Sequence, residues 1–405
     1  MKGTPALAER MGKILTSGTL QVALDADRLR RQGVDVVDLG AGEPDFPTPV
    51  HVKAAAIAGI ESNFTKYTPA AGIAELKQAV CDRYQQDYGV RYDTSEVIVT
   101  AGGKQAIFNA MEVLLNPGDE AVTHTPCWPS IPEQVKLAGA KPVLVHAHAE
   151  DGFEVAADAI IGALTPRTKV IILNTPCNPT GALISEEALA AIGEEAARRG
   201  IWILVDLCYE RLIYDKVPHN VCRILSERAR DLAVMAGSAS KAYAMTGWRC
   251  GWAIGPAPVI AACGVLQSHS TSNVCSITQR AALAALTGPQ APVKEMLEEY
   301  RVRRDRLHEW LSQDPRLTCR KPGGAFYLFL NVVGALEATG IRTSAEFART
   351  LLDDARLALT PGEAFEAPGF IRISYATSMD RLREGATRLL EFVRRRERTA
   401  VATGA

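Results

Sequence analysis

Apolar residues follow two periods along the chain, and the two alternate. Short unbroken runs, EVIVT (96–100), EAVTH (120–124), PVLVH (142–146), KVIILN (169–174), IWILVD (201–206), DLAVMAG (231–237) and CGWAIG (250–255), have the length and β-branched content of buried strands. Between them the spacing is helical. Val50–Glu61 is one such segment, and Ile73, Leu76, Val80 and Tyr84 mark a stripe over 73–88. Lys104–Leu115 and Pro129–Ala138 follow, and Ser185 caps a further helix to Arg199, with Glu186 and Glu187 suited to its positive end. Strands alternating with helices predict an α/β fold whose mainly parallel seven-stranded sheet is sandwiched by helices.

The two ends read differently. Residues 1–47 lead into LGAGEPDFPTP (39–49), where Gly40, Gly42, Pro44, Pro47 and Pro49 predict an extended crossing rather than a regular element. Gly42 is open to two readings, a linker position or a place where backbone approaches a ligand closely. Downstream, the charged stretch Val293–Trp310 predicts a solvated connecting helix. A strand pair around Leu317 and 326–330, a helix Ser344–Ala355, a strand FIRIS (370–374) and a helix Met379–Arg396 then predict a smaller α+β unit, with the tail ERTAVATGA frayed. The expected division is an N-terminal segment 1–47, a large domain 48–290 and a small domain 291–405.

Composition narrows the partners. The 405 residues are 47% apolar and 22% charged, with a net charge of −1, which gives no electrostatic reason for a nucleic-acid or membrane partner. No run reaches the length of a membrane span, and the first residues lack the apolar centre of a secretory signal. Nine cysteines are scattered, odd in number and without a C-x-x-C pair, which predicts neither disulfides nor zinc and places the chain in a reducing cytoplasm. The histidines show no metal-ligand spacing, so no metal is expected.

Candidate chemistry gathers after strands, where open α/β sheets bind ligands. Gly102–Lys104, Trp128, Asn178, Asp206 and Lys241 each follow a different predicted strand. The two glycines opening a helix offer free backbone N–H groups to a phosphate, or simply make a tight turn. In SASKAYAMTGWRCGW (238–252), Lys241 sits among small residues and Arg249 follows eight positions on. A buried lysine is tolerated when its charge is lost, as in a Schiff base, and an arginine fork matches a phosphate.

The segments GAGEPDFPTP, KYTPAAGIAELK, AGGKQAIFNA, NTPCNPTGA, VDLCYERLIY, SASKAYAMTGWRCGW and FIRISYA appear in that order. On them the chain resembles the class I/II aminotransferases of pyridoxal-phosphate fold type I, and most closely their bacterial aspartate aminotransferase branch. The resemblance implies that Lys241 forms the Schiff base with pyridoxal 5′-phosphate and that Asp206 pairs with the ring nitrogen. It makes Tyr209 and Asn178 donors to the ring oxygen and Trp128 the stacking aromatic. Gly103, Lys104, Ser238, Ser240 and Arg249 become the phosphate seat. Tyr67 would reach the phosphate of a neighbouring subunit, implying a homodimer with shared sites.

For substrate, the resemblance makes Arg372 the α-carboxylate clamp, helped by Asn178 and Gly42. Lys104, with Ser17 and Thr19, would meet a distal carboxylate, although Lys104 also reads as an exposed lysine in a first helical turn. The expected reaction is ping-pong transamination between an amino acid, aspartate or glutamate, and a 2-oxo acid; broader or aromatic specificity and β-lyase chemistry are the alternatives. Leu207, Cys208 and Cys275 depart from the family pattern. Relatives that accept prephenate carry a lysine near the position of Leu15, which Lys13 approaches.

Overall fold

Both faces of a sheet covered by helices require side chains that are apolar at every strand position, and the short apolar runs meet that requirement. The computed structural model describes residues 6–15, 18–215 and 219–403, the side chains of 18–21, 23 and 399–403 excepted. A two-residue strand, β1 (Val37–Asp38), precedes the large sheet. That sheet is built from β2 (Val97–Thr100), β3 (Glu120–Thr125), β4 (Lys141–His146), β5 (Thr168–Asn174), β6 (Trp202–Asp206), β7 (Ala233–Ser238) and β8 (Gly251–Ile254). Their spatial order is β2-β8-β7-β6-β5-β3-β4. Neighbours are parallel except at β8, which runs antiparallel to both β2 and β7.

Alternation divides the apolar strand residues between two cores. Ile171, Leu173, Ile203, Val205 and Met235 face one layer of helices, with Leu76, Val80, Leu189 and Ile192. Val170, Ile172, Leu204 and Val234 face the other, with Ile107, Met111 and Ile131. Because β5, β6 and β7 are parallel, their final residues Asn174, Asp206 and Ser238 lie at one rim.

Farther along lie β9 (Tyr327–Asn331), β10 (Leu357–Ala358), β11 (Thr360–Pro361) and β12 (Phe370–Ser374). The last three-stranded sheet has the antiparallel order β11-β12-β9. A separate apolar cluster surrounds it, including Leu307, Leu328, Phe347, Ile373 and Phe392. The N-terminal segment joins this unit, since β1 pairs in parallel with β10 and the Ser374 N–H donates to the Leu39 carbonyl.

Five features differ from what the sequence predicts. The first 47 residues hold a helix, Gly18–Arg31, whose Ala26 and Leu29 pack on Leu352 and Ala358; the extended crossing begins only after β1. The charged helix, Ala291–Leu311, is no solvated connector, because Met296, Tyr300, Leu307 and Leu311 are buried and so are Arg303 and Arg304. Near Leu317 there is a single bridge, Thr318 to Asn331, rather than a strand. The last helix runs Met379–Thr403, so helical structure continues past Arg396 into the segment read as frayed. Two helices, Ala257–Ser270 and Ser276–Thr287, carried too little apolar contrast to stand out, being rich in alanine and small polar residues.

Candidate active site

A cavity of about 470 Å³ opens at the rim where the parallel strands end. Gly42, Gly103, Lys104, Trp128, Asn178, Asp206, Tyr209, Ser238, Ser240, Lys241, Arg249 and Arg372 all line it. Residues separated by more than three hundred positions thus meet because strand ends, a helix start and β12 converge on one space.

Asp206 closes β6 and is 5% exposed. Burial pushes its carboxyl up to about 6, against a backbone N–H from Cys208 at 3.0 Å and the positive charge of Lys241, both of which favour the ionised form. Lys241 Nζ donates to the Gly42 carbonyl and lies 5.7 Å from the Phe326 ring. Behind the rim, His124 is buried and neutral. Its Nε2 accepts the Asn174 N–H at 3.1 Å, and burial holds its pKa down to about 4.

Beside this floor lies a set of donors. Ser238 Oγ donates to Ser240 Oγ at 2.8 Å and accepts the Ser240 N–H at 3.0 Å. Gly103 starts the helix Gly103–Leu114, leaving its first N–H groups without helical acceptors. Arg249 bends over this helix start, bonding the Thr246 and Ala101 carbonyls at 2.9 and 3.2 Å. The approach requires glycine at 102. Its φ is +84°, and a Cβ there would lie 2.5 Å from Arg249 Nη2.

Across the cavity Arg372 is 3% exposed, yet no carboxylate side chain reaches it among the described residues. Nη1 donates to Asn178 Oδ1 at 2.9 Å and Nη2 to the Gly40 carbonyl at 2.7 Å. Its guanidinium lies 4.3 Å from the Tyr327 ring and 5.0 Å from that of Phe365, while Nε has no partner. A buried cation served only by dipoles is a site for an anion. Gly42 is small for a reason internal to the chain: a Cβ there would meet Tyr327 Oη at 2.9 Å.

At the mouth, Lys104 extends its ammonium to 4.8 Å from the Trp128 ring. The enclosing walls, then Arg249 and Lys241, hold its pKa below the usual lysine range. Four cationic side chains, Lys104, Lys241, Arg249 and Arg372, therefore share one cavity with a single carboxyl, Asp206, among its lining residues.

Some expected residues lie elsewhere. Tyr67 is 91% exposed and is not among the residues lining the cavity. Ser17 and the side chain of Thr19 lie outside the described residues. Of the departures, Leu207 packs into the core, Cys275 is exposed at a helix start, and Cys208 lines the cavity with its thiol pushed up to about 12 by burial. Tyr327 and Thr246 line the cavity without having been singled out in the sequence. Tyr327 sits inside the run AFYLFL, where a tyrosine reads as core.

Comparison with known proteins places these residues in a family context. The aminotransferase class I and II family model matches residues 34–389. An aspartate aminotransferase from Geobacillus stearothermophilus is 43% identical over 390 residues, covering 96% of this chain and 99% of that one. An aspartate/prephenate aminotransferase from Cereibacter sphaeroides is 41% identical, covering 95% and 98%. Among solved structures, the aspartate aminotransferase from Thermus thermophilus with maleate superposes with a TM-score of 0.91 at 40% identity, covering 96% of this chain and all 100% of that one.

Proposed function

The chain belongs to the class I and II aminotransferases, and from that premise we propose that it moves the amino group of aspartate or glutamate to a 2-oxo acid with pyridoxal 5′-phosphate as cofactor. The observation that carries the substrate class is Arg372, buried without a carboxylate, facing a cavity that Lys104 also enters. Two cations in one pocket suit a dicarboxylate. The names of the relatives point the same way.

The residues fit the cofactor. Ser238, Ser240, Arg249 and the helix start at Gly103 offer hydroxyls, a guanidinium and free N–H groups to a phosphate, and a Cβ at Gly102 would close the approach. Asp206 offers a buried acid to the ring nitrogen, Tyr209 and Asn178 donors to the ring oxygen, and Trp128 an aromatic face. When bound, pyridoxal phosphate supplies the electron sink for the pair left on the substrate Cα. A protonated ring nitrogen would hold Asp206 ionised, reversing what burial alone does to it. Lys241 Nζ is the anchor and, as a neutral amine, the base that carries the Cα proton. Arg372 and Asn178 orient the α-carboxylate so that this proton meets Nζ, and Lys104 holds the distal carboxylate with Ser17 and Thr19.

The same reading extends to assembly and place. The exposed Tyr67, with Val50, Ile57 and Ile60 also exposed, supports a homodimer in which Tyr67 completes the partner's phosphate seat. The separate apolar clusters support the division into 1–47, 48–290 and 291–405, with the first segment serving the small domain and the pocket. Nine unpaired cysteines support a reducing cytoplasm. The test is Lys241→Ala. Loss of the cofactor's visible absorbance band and of turnover is expected; a variant that kept both would remove Lys241 from the reaction.

A further inference from the structure

Tyr327 touches three elements of the site at once. It is 1% exposed, and its Oη lies 2.7 Å from Tyr209 Oη. Its ring carries the Arg372 guanidinium at 4.3 Å, and its hydroxyl occupies the space a Cβ at Gly42 would need. Sheet register fixes this placement. Tyr327 pairs with Ser374 and Phe329 with Arg372 across β9 and β12, so Tyr327 and Arg372 are diagonal neighbours on one face. Edge contacts with Phe326 at 4.8 Å and Tyr209 at 5.8 Å hold the ring.

The two phenols share one hydrogen bond but own two protons, and either can donate. If Tyr209 donated, its proton would be spent on Tyr327. If Tyr327 donates, the Tyr209 proton is free to turn into the cavity. We propose that Tyr327 is a positioning residue that couples the two ends of the site. Its hydroxyl donates to Tyr209 and directs the Tyr209 proton to a bound ring oxygen, while its ring face holds the Arg372 guanidinium flat for a carboxylate. The proposal rests on the reading that Tyr209 faces the cofactor and Arg372 the substrate. A Tyr209 hydroxyl that is itself a hydrogen-bond acceptor is a stronger donor, so it draws more charge from the ring oxygen. That weakens the proton's hold on the neighbouring Schiff-base nitrogen.

The test uses cofactor-loaded wild type, Tyr327→Phe, Tyr327→Leu, Tyr209→Phe and the double variant Tyr209→Phe/Tyr327→Phe. Two quantities are read without turnover: the pH midpoint of the visible band, and the dissociation constant of succinate, an unreactive dicarboxylate. Tyr327→Phe keeps the ring, so it should raise the midpoint by about half a unit or more, roughly threefold in proton affinity. Its succinate affinity should stay within about twofold, because the stacking on Arg372 survives. Tyr327→Leu should move the midpoint equally and weaken succinate about tenfold. In the Tyr209→Phe background, adding Tyr327→Phe should move the midpoint no further. A wild-type midpoint in Tyr327→Phe, an equal shift in the Tyr209→Phe background, or wild-type succinate binding in Tyr327→Leu would each overturn the coupling. Should Tyr327→Leu fail to fold, the near-isosteric Tyr327→Phe and the double variant still decide the hydroxyl's role. Wild-type protein that forms no visible band with pyridoxal phosphate would instead break the functional reading beneath it.

Discussion

Arg372 and Arg303 are 3% and 5% exposed, and both lie against aromatic rings, yet their surroundings assign them opposite work. Arg303 donates to Asp45 at 2.7 Å and to Glu299 at 2.9 Å, tying the long helix Ala291–Leu311 to the extended crossing. Its charge is already matched. Among the described residues, Arg372 hydrogen-bonds only to an amide oxygen and a carbonyl, and its Nε is unused. Burying an arginine is costly in either setting, so the second arrangement persists only where an anion completes it. A buried cation with carboxylates holds the fold; one with dipoles alone suits the substrate seat proposed for Arg372.

Substitutions can break this contrast. Arg372→Ala should lower kcat/KM for aspartate by about 10³-fold or more, from a lost buried charge contact worth about 4 kcal/mol. Its melting temperature should change little, and steady-state kinetics with a thermal scan check both halves. Arg303→Met should do the reverse. Stability should fall by about 3 kcal/mol in denaturant titration, with kcat/KM within about tenfold of wild type. Equal stability losses in the two variants would erase the distinction.

Glu210 shows a third way to bury an ionisable group. Among the described residues it has no cation; it accepts from Tyr84 Oη at 3.1 Å and Asn220 Nδ2 at 2.8 Å, and burial pushes it up to about 7 from 4.5. The folded chain therefore keeps a proton that the unfolded chain releases. The resulting stabilisation is complete below the unfolded pKa of 4.5 and is lost as pH rises through about 7. Asp206 shifts in the same sense, while His124, with its pKa held down to about 4, gains stability as pH rises through that window. The comparison that isolates Glu210 is Glu210→Gln against wild type. The variant should gain about 3 kcal/mol relative to wild type between acid and neutral pH, measured by denaturant titration across that range. A difference independent of pH would mean that Glu210 is ionised in the fold.

The smallest effect is expected at the mouth. Lys104→Ala should lower kcat/KM for aspartate about tenfold while leaving alanine within about threefold, because the exposed ammonium contributes less than the buried one. Similar losses for both substrates would detach Lys104 from the distal carboxylate.

The sequence disclosed the large sheet because its strands are buried on both faces and therefore apolar throughout, as β5 and β6 are. Lys241, Asp206 and Asn178 stand out in the sequence as polar residues after predicted strands, but the roles proposed for them and for Arg372 come from the family resemblance of the segments that carry them. Arg303 was not. Its helix reads as solvated because charge dominates its sequence, and the carboxylate that neutralises it, Asp45, lies 258 residues away. Tyr327 was hidden for a related reason: inside an apolar strand a tyrosine looks like packing, and only the register of β9 on β12 brings its hydroxyl to Tyr209. The helix Gly18–Arg31 is hard to see in the sequence because the segment that contains it runs on into the prolines and glycines that follow β1.

The most direct measurement is to mix the cofactor-loaded protein with each common amino acid and follow the bound cofactor's absorbance on the millisecond scale. Aspartate and glutamate should convert it fastest, by at least about tenfold over alanine and the aromatic amino acids. Fastest conversion by an aromatic or basic amino acid, or equal rates for all, would contradict a dicarboxylate site built on Arg372 and Lys104.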